Sequence, residues 1–319
     1  MRLDGKKILS IDRDASDLTI IDWVLGNYCN FKCSYCFPNA NTGTDRVPRL
    51  DDVLRRNVYH LIEEIDAVGK QKIVFNFGGG EPTLYHDIVQ LMDFLRPFGE
   101  IGFVSNGSRT VRWWKQNLRY IDHVLLSYHS EYTDLEHMAK VIECIKDDVG
   151  LRVHVMVNPK LFDKCIDAYK TLSDRFSDVN FQLKTLRENG RVIEYSPQQD
   201  KIIKDNIHQP LMKPSCKVNC DGEIFDLQLH HVKNLRGTFT GYRCYAHHDF
   251  IQIDSRGFIG TMSCGQNFTK KSNIYLKSFV DNFIMPKYSI SCEQDICGCI
   301  GLLCSKKEYV RYEKDNKRD

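Results

Sequence analysis

Residues 75–84 read FNFGGGEPTL, an alternating apolar run that ends in three glycines, a carboxylate and a proline. With Lys72, Ile73 and Val74 ahead of it, the run KIVFNF predicts a strand, because aromatic and β-branched residues fit a pleated, half-buried surface. Glycine has no Cβ, so Gly79 and Gly80 let backbone groups come close to a ligand. Pro82 biases Glu81 toward an extended conformation, and a carboxylate fixed at a strand end can receive an ammonium group. Taken alone, GGG is only a tight turn. Its weight comes from what surrounds it.

Strand-like runs recur at residues 19–26, 101–105, 123–129, 151–157 and 179–184. Between them lie apolar stripes at helical spacing: Leu54, Val58, Leu61, Ile62 and Ile65, then Ile88, Leu91, Met92 and Leu95, then Leu135, Met138, Ala139, Ile142 and Ile145. Strand–helix alternation predicts a parallel sheet with helical crossovers, an α/β architecture. Six such units are too few to close an eight-stranded barrel, so the expectation is an open, partial (β/α)6 barrel over residues 20–187. Residues 1–19 are expected to be an extension. In parallel α/β folds ligands collect at the carboxyl ends of the strands, and the glycine- and polar-rich segments GGGEPT, SNGS and SYHSEY all follow strands.

The segment after the first strand, NYCNFKCSYCFPN (27–39), carries Cys29, Cys33 and Cys36. Structural zinc needs four ligands, and C-x3-C-x2-C is too compact for a two-pair zinc knuckle. Three thiolates on one loop suit one face of an iron–sulfur cubane, leaving one iron without a protein ligand. This loop, with Tyr35 just before the third cysteine, resembles the signature of the radical S-adenosylmethionine (radical SAM) superfamily, and Gly79-Gly80-Glu81-Pro82 resembles its GGEP motif. The resemblance implies a [4Fe–4S] cluster on Cys29, Cys33 and Cys36 whose vacant iron takes the amine and carboxylate of SAM, with the amine near Glu81. It further implies SAM contacts from Tyr35, Gly79, Gly80, Glu81, Pro82, Ser105, Asn106, Ser127 and Asn158, though the last four are equally read as turn-forming polar residues. His129 is either a substrate contact or a hydrogen-bonded loop residue.

Beyond residue 188 the rhythm changes. RENGRVIEYSPQQD reads as a connection into a helix, and DGEIFDLQLHHV, GTFTGY and DFIQIDSRGFIGTMSC read as short strands with Asp-Gly and Arg-Gly turns. Residues 188–319 are thus expected to form a small β-rich, cysteine-rich region. Its pattern resembles the auxiliary-cluster domains called SPASM or twitch, which implies a second [4Fe–4S] cluster held by four of Cys244, Cys264, Cys292, Cys297 and Cys299, with Cys304 as a fallback. Its C-x4-C-x-C ending departs from the C-x2-C of twitch and leaves the ligand set open. A zinc site from these residues with His230, His231, His247 and His248 is the alternative. Cys216 and Cys220 are candidate hydrogen-atom donors to a substrate radical, or ordinary thiols. Cys144 and Cys165 fall in helical patterns and read as packing residues.

The 319-residue chain carries 44 Lys+Arg against 42 Asp+Glu, a net charge of +2, which leaves no electrostatic footprint for nucleic acid. It shows neither a signal-peptide pattern at its start nor an 18-residue apolar run, so no membrane is expected. Its thirteen cysteines, in a chain read as cytoplasmic, point to metal or catalysis rather than disulfides. By resemblance, the reaction is reductive SAM cleavage followed by hydrogen abstraction from a peptide, giving epimerisation, cross-linking or oxidation, with flavodoxin or ferredoxin as electron donor. The same chemistry on an aminosugar or other small molecule is the rival. A non-enzymatic iron–sulfur or zinc binding module is the alternative of another class.

Overall fold

The structure is a computed structural model and describes residues 7–13, 15–37, 41–45, 47–188, 191–206, 215–228, 239–260, 272–292 and 305–310. Strand β1 (Ile8–Arg13) comes first and is followed by β2 (Leu18–Val24). The barrel rhythm then runs α1 (Asp52–Ala67), β3 (Lys72–Gly78), α2 (Ile88–Leu95), β4 (Glu100–Ser105), α3 (Val111–Asn117), β5 (His123–His129), α4 (Leu135–Ile145), β6 (Gly150–Val157), α5 (Phe162–Arg175) and β7 (Asn180–Thr185). All six expected barrel strands are present. The helices start where local chemistry starts them: Asp51, Thr110 and Asp134 each accept a backbone N–H of the first turn, which satisfies a donor that helix geometry leaves unpaired. The apolar stripes of α1, α2 and α4 are buried against the sheet, apart from Ile62 and Leu135, which are partly buried at its edge.

Beyond β7 lie the two-residue strands β8 (Arg187–Glu188) and β9 (Arg191–Val192), then α6 (Pro197–Asp205), started by a Ser196–Gln199 capping box. Strands β10 (Ser215–Cys220) and β11 (Glu223–Gln228) form a hairpin. Its turn residues Asp221 and Gly222 both take positive φ, +52° and +96°, the conformation that favours Asp-Gly in tight hairpins. The remaining strands are β12 (Arg243–Cys244), β13 (Phe250–Ile253), β14 (Ile259–Gly260), β15 (Ile290–Ser291) and β16 (Lys307–Glu308). Residues 239–242, expected as part of a short strand, instead turn through Gly241 (φ +82°) into β12.

Among the described residues, the main sheet runs β14-β13-β2-β3-β4-β5-β6-β7. It is parallel from β13 to β7, with β14 antiparallel at the edge. This is a partial (β/α) barrel with a β-rich C-terminal region, and β13 of that region adds a parallel strand beside β2. The second sheet, β11-β10-β1-β16-β12-β15, takes its middle strand from the N-terminal segment. A buried ion pair joins the two sheets: Lys70 Nζ lies 2.5 Å from Asp249 Oδ1, whose other oxygen accepts the Lys306 N–H at 2.9 Å. No helix among the described residues is long and apolar enough to cross a membrane.

The barrel lumen makes folding sensitive to acid. His154 on β6 is pulled down from 6.5 to about 4, first by burial and then by the positive charges of Lys184 and Arg152. Its Nε2 is buried with no hydrogen-bond partner among the described residues. The unfolded chain therefore takes up this proton at a higher pH than the folded one. Stability from this group is intact above about pH 6.5 and is lost as pH falls toward 4, at no more than about 1.4 kcal/mol per pH unit. His154→Gln is expected to flatten the pH dependence of the urea midpoint across that window by comparison with wild type.

Candidate active site

A cavity of about 430 Å³ opens at the carboxyl ends of the barrel strands. It is lined by Cys29, Cys33 and Cys36 beyond β2, Gly79 and Gly80 beyond β3, Ser105 and Asn106 at the end of β4, Ser127 and His129 on β5, Met156 on β6, and Lys184 to Arg187 around the end of β7. Tyr35 lines it too. The structure thus brings to one cavity the three early cysteines and most of the residues expected around SAM. Glu81, Pro82 and Asn158 do not line it.

The glycines do their first work against the neighbouring loop. A Cβ on Gly79 would stand 2.5 Å from the Gly26 carbonyl oxygen, and one on Gly80 would stand 2.1 Å from that of Tyr28. This closeness lets Gly80 N–H donate to Gly26 O (3.2 Å) and Glu81 N–H to Tyr28 O (2.7 Å). The loop carrying the cysteines is zipped, backbone to backbone, onto the loop after β3.

Glu81 is 2% exposed. Its Oε1 accepts from Ser105 Oγ at 2.8 Å and Thr83 Oγ1 at 2.6 Å, and its Oε2 accepts the Asn106 N–H at 2.7 Å. Burial pushes the carboxyl above its ordinary value, while these donors pull it back. The side chain acts as a strut that ties the end of β4 to the end of β3. Asn106 continues the chain of contacts, its Nδ2 lying 3.0 Å from Asn30 Oδ1 and 3.7 Å from Cys29 Sγ.

Glu131 holds the cysteine loop from the opposite side, a role that sequence reasoning missed. Its carboxylate accepts the Ser34 N–H at 2.8 Å and also the Ser34 hydroxyl, between Cys33 and Cys36, and it accepts Asn158 Nδ2 at 2.9 Å. The available signal was its place in SYHSEY, just past the end of β5. Aromatic rings interleave above it: Tyr35 stacks on His129 with its hydroxyl 2.8 Å from Nδ1, and Phe31 stacks on Tyr132 at 5.3 Å. Glu131→Ala removes the acceptor for both Ser34 donors. Iron bound at the cysteine loop is expected to be lost to a chelator at a protein affinity lower by about 10- to 100-fold, the usual range for outer-shell partners of metal ligands.

The donor set fits an iron–sulfur cluster. Burial pushes all three thiols up, Cys33 to about 12. What supports the fit is the donor set itself: three soft sulfur ligands from one loop line one cavity, as suits an iron–sulfur cluster, and a bound metal would displace the thiol protons. Among the described residues no group of three or more His, Cys, Asp or Glu side chains is placed so as to hold a single metal ion.

The late cysteines are placed elsewhere. Cys216 and Cys220 are fully buried on β10 and pack with Ile8 and Ile11 in the core of the second sheet, and neither cysteine lines the cavity. Cys244 and Cys292 belong to the same cluster. Cys264, Cys297, Cys299 and Cys304 lie outside the described residues, as do His230 and His231. His247 and His248 fall on a short helix, Ala246–Asp249, where their Nε2 atoms meet the carbonyls of Tyr288 and Pro286. Cys165 is buried and Cys144 half-buried, both on helices.

A strand-end cavity of this kind, with three cysteines on one loop and a glycine loop docked onto it, defines a class, and residues 23–131 match the model of the Radical SAM superfamily. The chain is similar to the probable GTP 3′,8-cyclase of Sulfurisphaera tokodaii, 27% identical over 202 residues that cover 59% of either chain. It is also similar to the probable GTP 3′,8-cyclase of Saccharolobus islandicus, 28% identical over 160 residues, or 44% of this chain and 47% of that one. The chain therefore spans about half the length of these curated relatives. Among solved structures, native anSMEcpe with bound AdoMet aligns over 85% of this chain and 81% of that one, at 16% identity and a TM-score of 0.49.

Proposed function

We propose that the protein is a radical SAM enzyme acting on a peptide substrate. In this reading Cys29, Cys33 and Cys36 hold a [4Fe–4S] cluster, which when bound supplies one-electron reductive cleavage of SAM to a 5′-deoxyadenosyl radical that abstracts hydrogen from the substrate. The observation that carries it is the single cavity shared by the three cysteines, Gly79, Gly80, Ser105, Asn106 and Ser127. The chain's own residues bind and orient. Gly79 and Gly80 present backbone to the ligand while docked on the cysteine loop, Glu81 and Glu131 brace that loop from two sides, and Ser105, Asn106 and Ser127 offer hydrogen bonds to a ribose or carboxylate. Phe31, Tyr35 and Phe37 line the cavity beside the cysteines, apolar surface that a bound substrate would cover, and exclusion of water in that way suppresses side reactions of a radical.

Residues 188–319 are proposed to hold a second [4Fe–4S] cluster, with Cys244 and Cys292 as two of its ligands. Their burial in one cluster of the second sheet supports this. A flavodoxin or ferredoxin is the proposed electron donor. The second reading is the same chemistry on a small molecule, and the similarity to proteins named GTP 3′,8-cyclases favours it. The test is anaerobic reconstitution with iron and sulfide, reduction with dithionite, and a search for 5′-deoxyadenosine after adding SAM. Mass spectrometry in heavy water then separates outcomes. One deuteron on a peptide carbon supports epimerisation, and a two-dalton loss supports oxidation or cross-linking. Formation of no 5′-deoxyadenosine by iron-loaded protein overturns the reading.

A further inference from the structure

We propose that the barrel lumen beneath the cavity is a substrate subsite for a group carrying both charges, an ammonium held by Asp22 and a carboxylate held by Arg152, as an amino acid or short peptide presents. What is done to that group rests on the radical SAM reading, but its binding does not require turnover. Register places the two residues on one face of the sheet. Asp22 on β2 is level with Asn76 and Gly102. Two residues along β4 from Gly102, Val104 is level with Leu125 and with Arg152 on β6. Side chains two apart on a strand, and those level across a sheet, share a face, and Val104 lines the cavity. The alternate residues, among them Ile21, Phe75, Phe103 and Val153, are buried in the apolar core, so the other face meets the helices.

Neither charge is compensated. Asp22 Oδ1 accepts from Asn76 Nδ2 at 2.8 Å, a neutral partner. Gly102 leaves room for that amide, since a Cβ there would stand 3.3 Å from Asn76 Oδ1. Among the described residues Arg152 has no hydrogen bond or ion pair. Burial moves Asp22 up and Arg152 down from their ordinary values, and no opposite charge offsets either shift. Two more polar atoms on the β6–β7 wall are orphaned. His154 Nε2, level with Ser127, and Asn180 Oδ1, level with Arg152, are buried without a hydrogen-bond partner among the described residues. Such groups cost stability unless something meets them, and an unpaired charge taken out of water costs more. Of the other charges on this face, Glu100 pairs with His123 at 2.7 Å and Lys72 with Asp17 at 3.0 Å. Lys184 adds to Arg152 as a positive charge acting on His154. Negative charge thus lies on the β2 wall and positive charge on the β6–β7 wall. A ligand with one charge would satisfy one wall and leave the other unpaired, whereas a zwitterion satisfies both.

The depth argues for substrate rather than SAM. The cysteine and glycine loops stand at the strand ends, while Asp22 lies two residues before the end of β2 and Arg152 five before the end of β6, about 7 and 17 Å down those strands. The two residues are four strand spacings apart, about 19 Å along the arc of the sheet, and barrel curvature brings them closer across the lumen. An arginine fork matches both oxygens of a carboxylate at once, and an ammonium favours the charged form of a half-buried carboxyl.

The experiment is calorimetric titration of the anaerobically purified full chain, with and without saturating SAM. The probes are glycine and its linear dimer, trimer and tetramer, each residue adding about 3.5 Å between the charges. Saturable binding of at least one is expected. Capping that probe by acetylation of its amine, or by amidation of its carboxylate, is expected to weaken it about tenfold or more, the usual worth of a charged contact. Asp22→Asn should weaken the free probe as much and make acetylation immaterial, and Arg152→Gln should do the same for amidation. Tightest binding of glycine assigns a single amino acid, and tightest binding of a longer member assigns a peptide. Absence of saturable binding to wild type overturns the proposal. So does an affinity that capping leaves unchanged, or a variant that feels its matching cap as strongly as wild type does. Displacement of the probe by SAM overturns it too, since the charges would then serve the cofactor. Should a variant lose its near-ultraviolet circular dichroism, the capped probes on wild type carry the test alone. Failure of the radical SAM reading shows separately, as iron-loaded wild type that forms no 5′-deoxyadenosine.

Discussion

Cys33→Ala is expected to lower 5′-deoxyadenosine formation by on the order of a thousandfold or more, to the detection limit, because a cluster held by three thiolates cannot keep its place on two. Cys33 is the central residue of the trio, and its thiol lies half-buried in the cavity wall with no other cysteine positioned to replace it among the lining residues. Iron content at the first site should fall with it. The fold should persist, since Cys33 belongs to neither apolar core. Checked by far-ultraviolet circular dichroism, iron analysis and product assay, the variant separates a chemical role from a structural one. Cys264→Ala, by contrast, is expected to leave SAM cleavage measurable but uncoupled from substrate. Equal loss in the two variants would assign the late cysteines to the stability of the whole fold.

Gly80→Ala is the second large effect, and it arises from backbone alone. The added methyl would lie 2.1 Å from the Tyr28 carbonyl oxygen and 2.4 Å from its carbon, distances that no rotamer can relieve. Either the Glu81–Tyr28 hydrogen bond opens or the cysteine loop is displaced. Overpacking that the backbone must absorb costs about 3 kcal/mol or more, a fall in Tm of roughly 6 °C or more, and the displaced loop should lose its iron as well. Gly69 is the control. It has φ +81° but nothing within 4 Å of its Cβ position, so Gly69→Ala should cost only the left-handed backbone penalty, about 1–2 kcal/mol, and leave iron loading unchanged. If Gly69→Ala and Gly80→Ala lower iron content alike, the docked glycine loop is not what positions the cysteines.

Much of the barrel was legible because its strands are local signals. Runs such as Lys72–Phe77 and His123–His129 carry their own β-branched and aromatic enrichment, and helix stripes such as Leu54, Val58, Leu61 and Ile65 show their buried face by spacing alone. What could not be read was pairing across long sequence distance. Ile8–Arg13 looks like an unremarkable extension until it pairs with residues 216–220 and 307–308. Phe250–Ile253 reads as half of a hairpin with Ile259, yet its other edge meets Ile20–Trp23 in parallel. No local pattern encodes which edge a four-residue strand will find.

The site divides the same way. Cysteine spacing and GGEP were visible because one loop carries each. Glu131 was not, since a lone carboxylate after a strand has no signature until Ser34 and Asn158 are seen to converge on it. The role of Glu81 also changed with the structure: an isolated carboxylate at a strand end suggests an ammonium partner, but in the fold it is enclosed by hydroxyl and amide donors.

The central claim is that the corner left open by Cys29, Cys33 and Cys36 is where SAM binds iron. Electron paramagnetic resonance of the reconstituted, dithionite-reduced protein tests it most directly, with the Cys29→Ala/Cys33→Ala/Cys36→Ala variant as reference for any signal arising elsewhere. Adding SAM is expected to shift the g-values of the wild-type signal and to leave the triple variant's spectrum unchanged. A wild-type spectrum indifferent to saturating SAM would contradict the account.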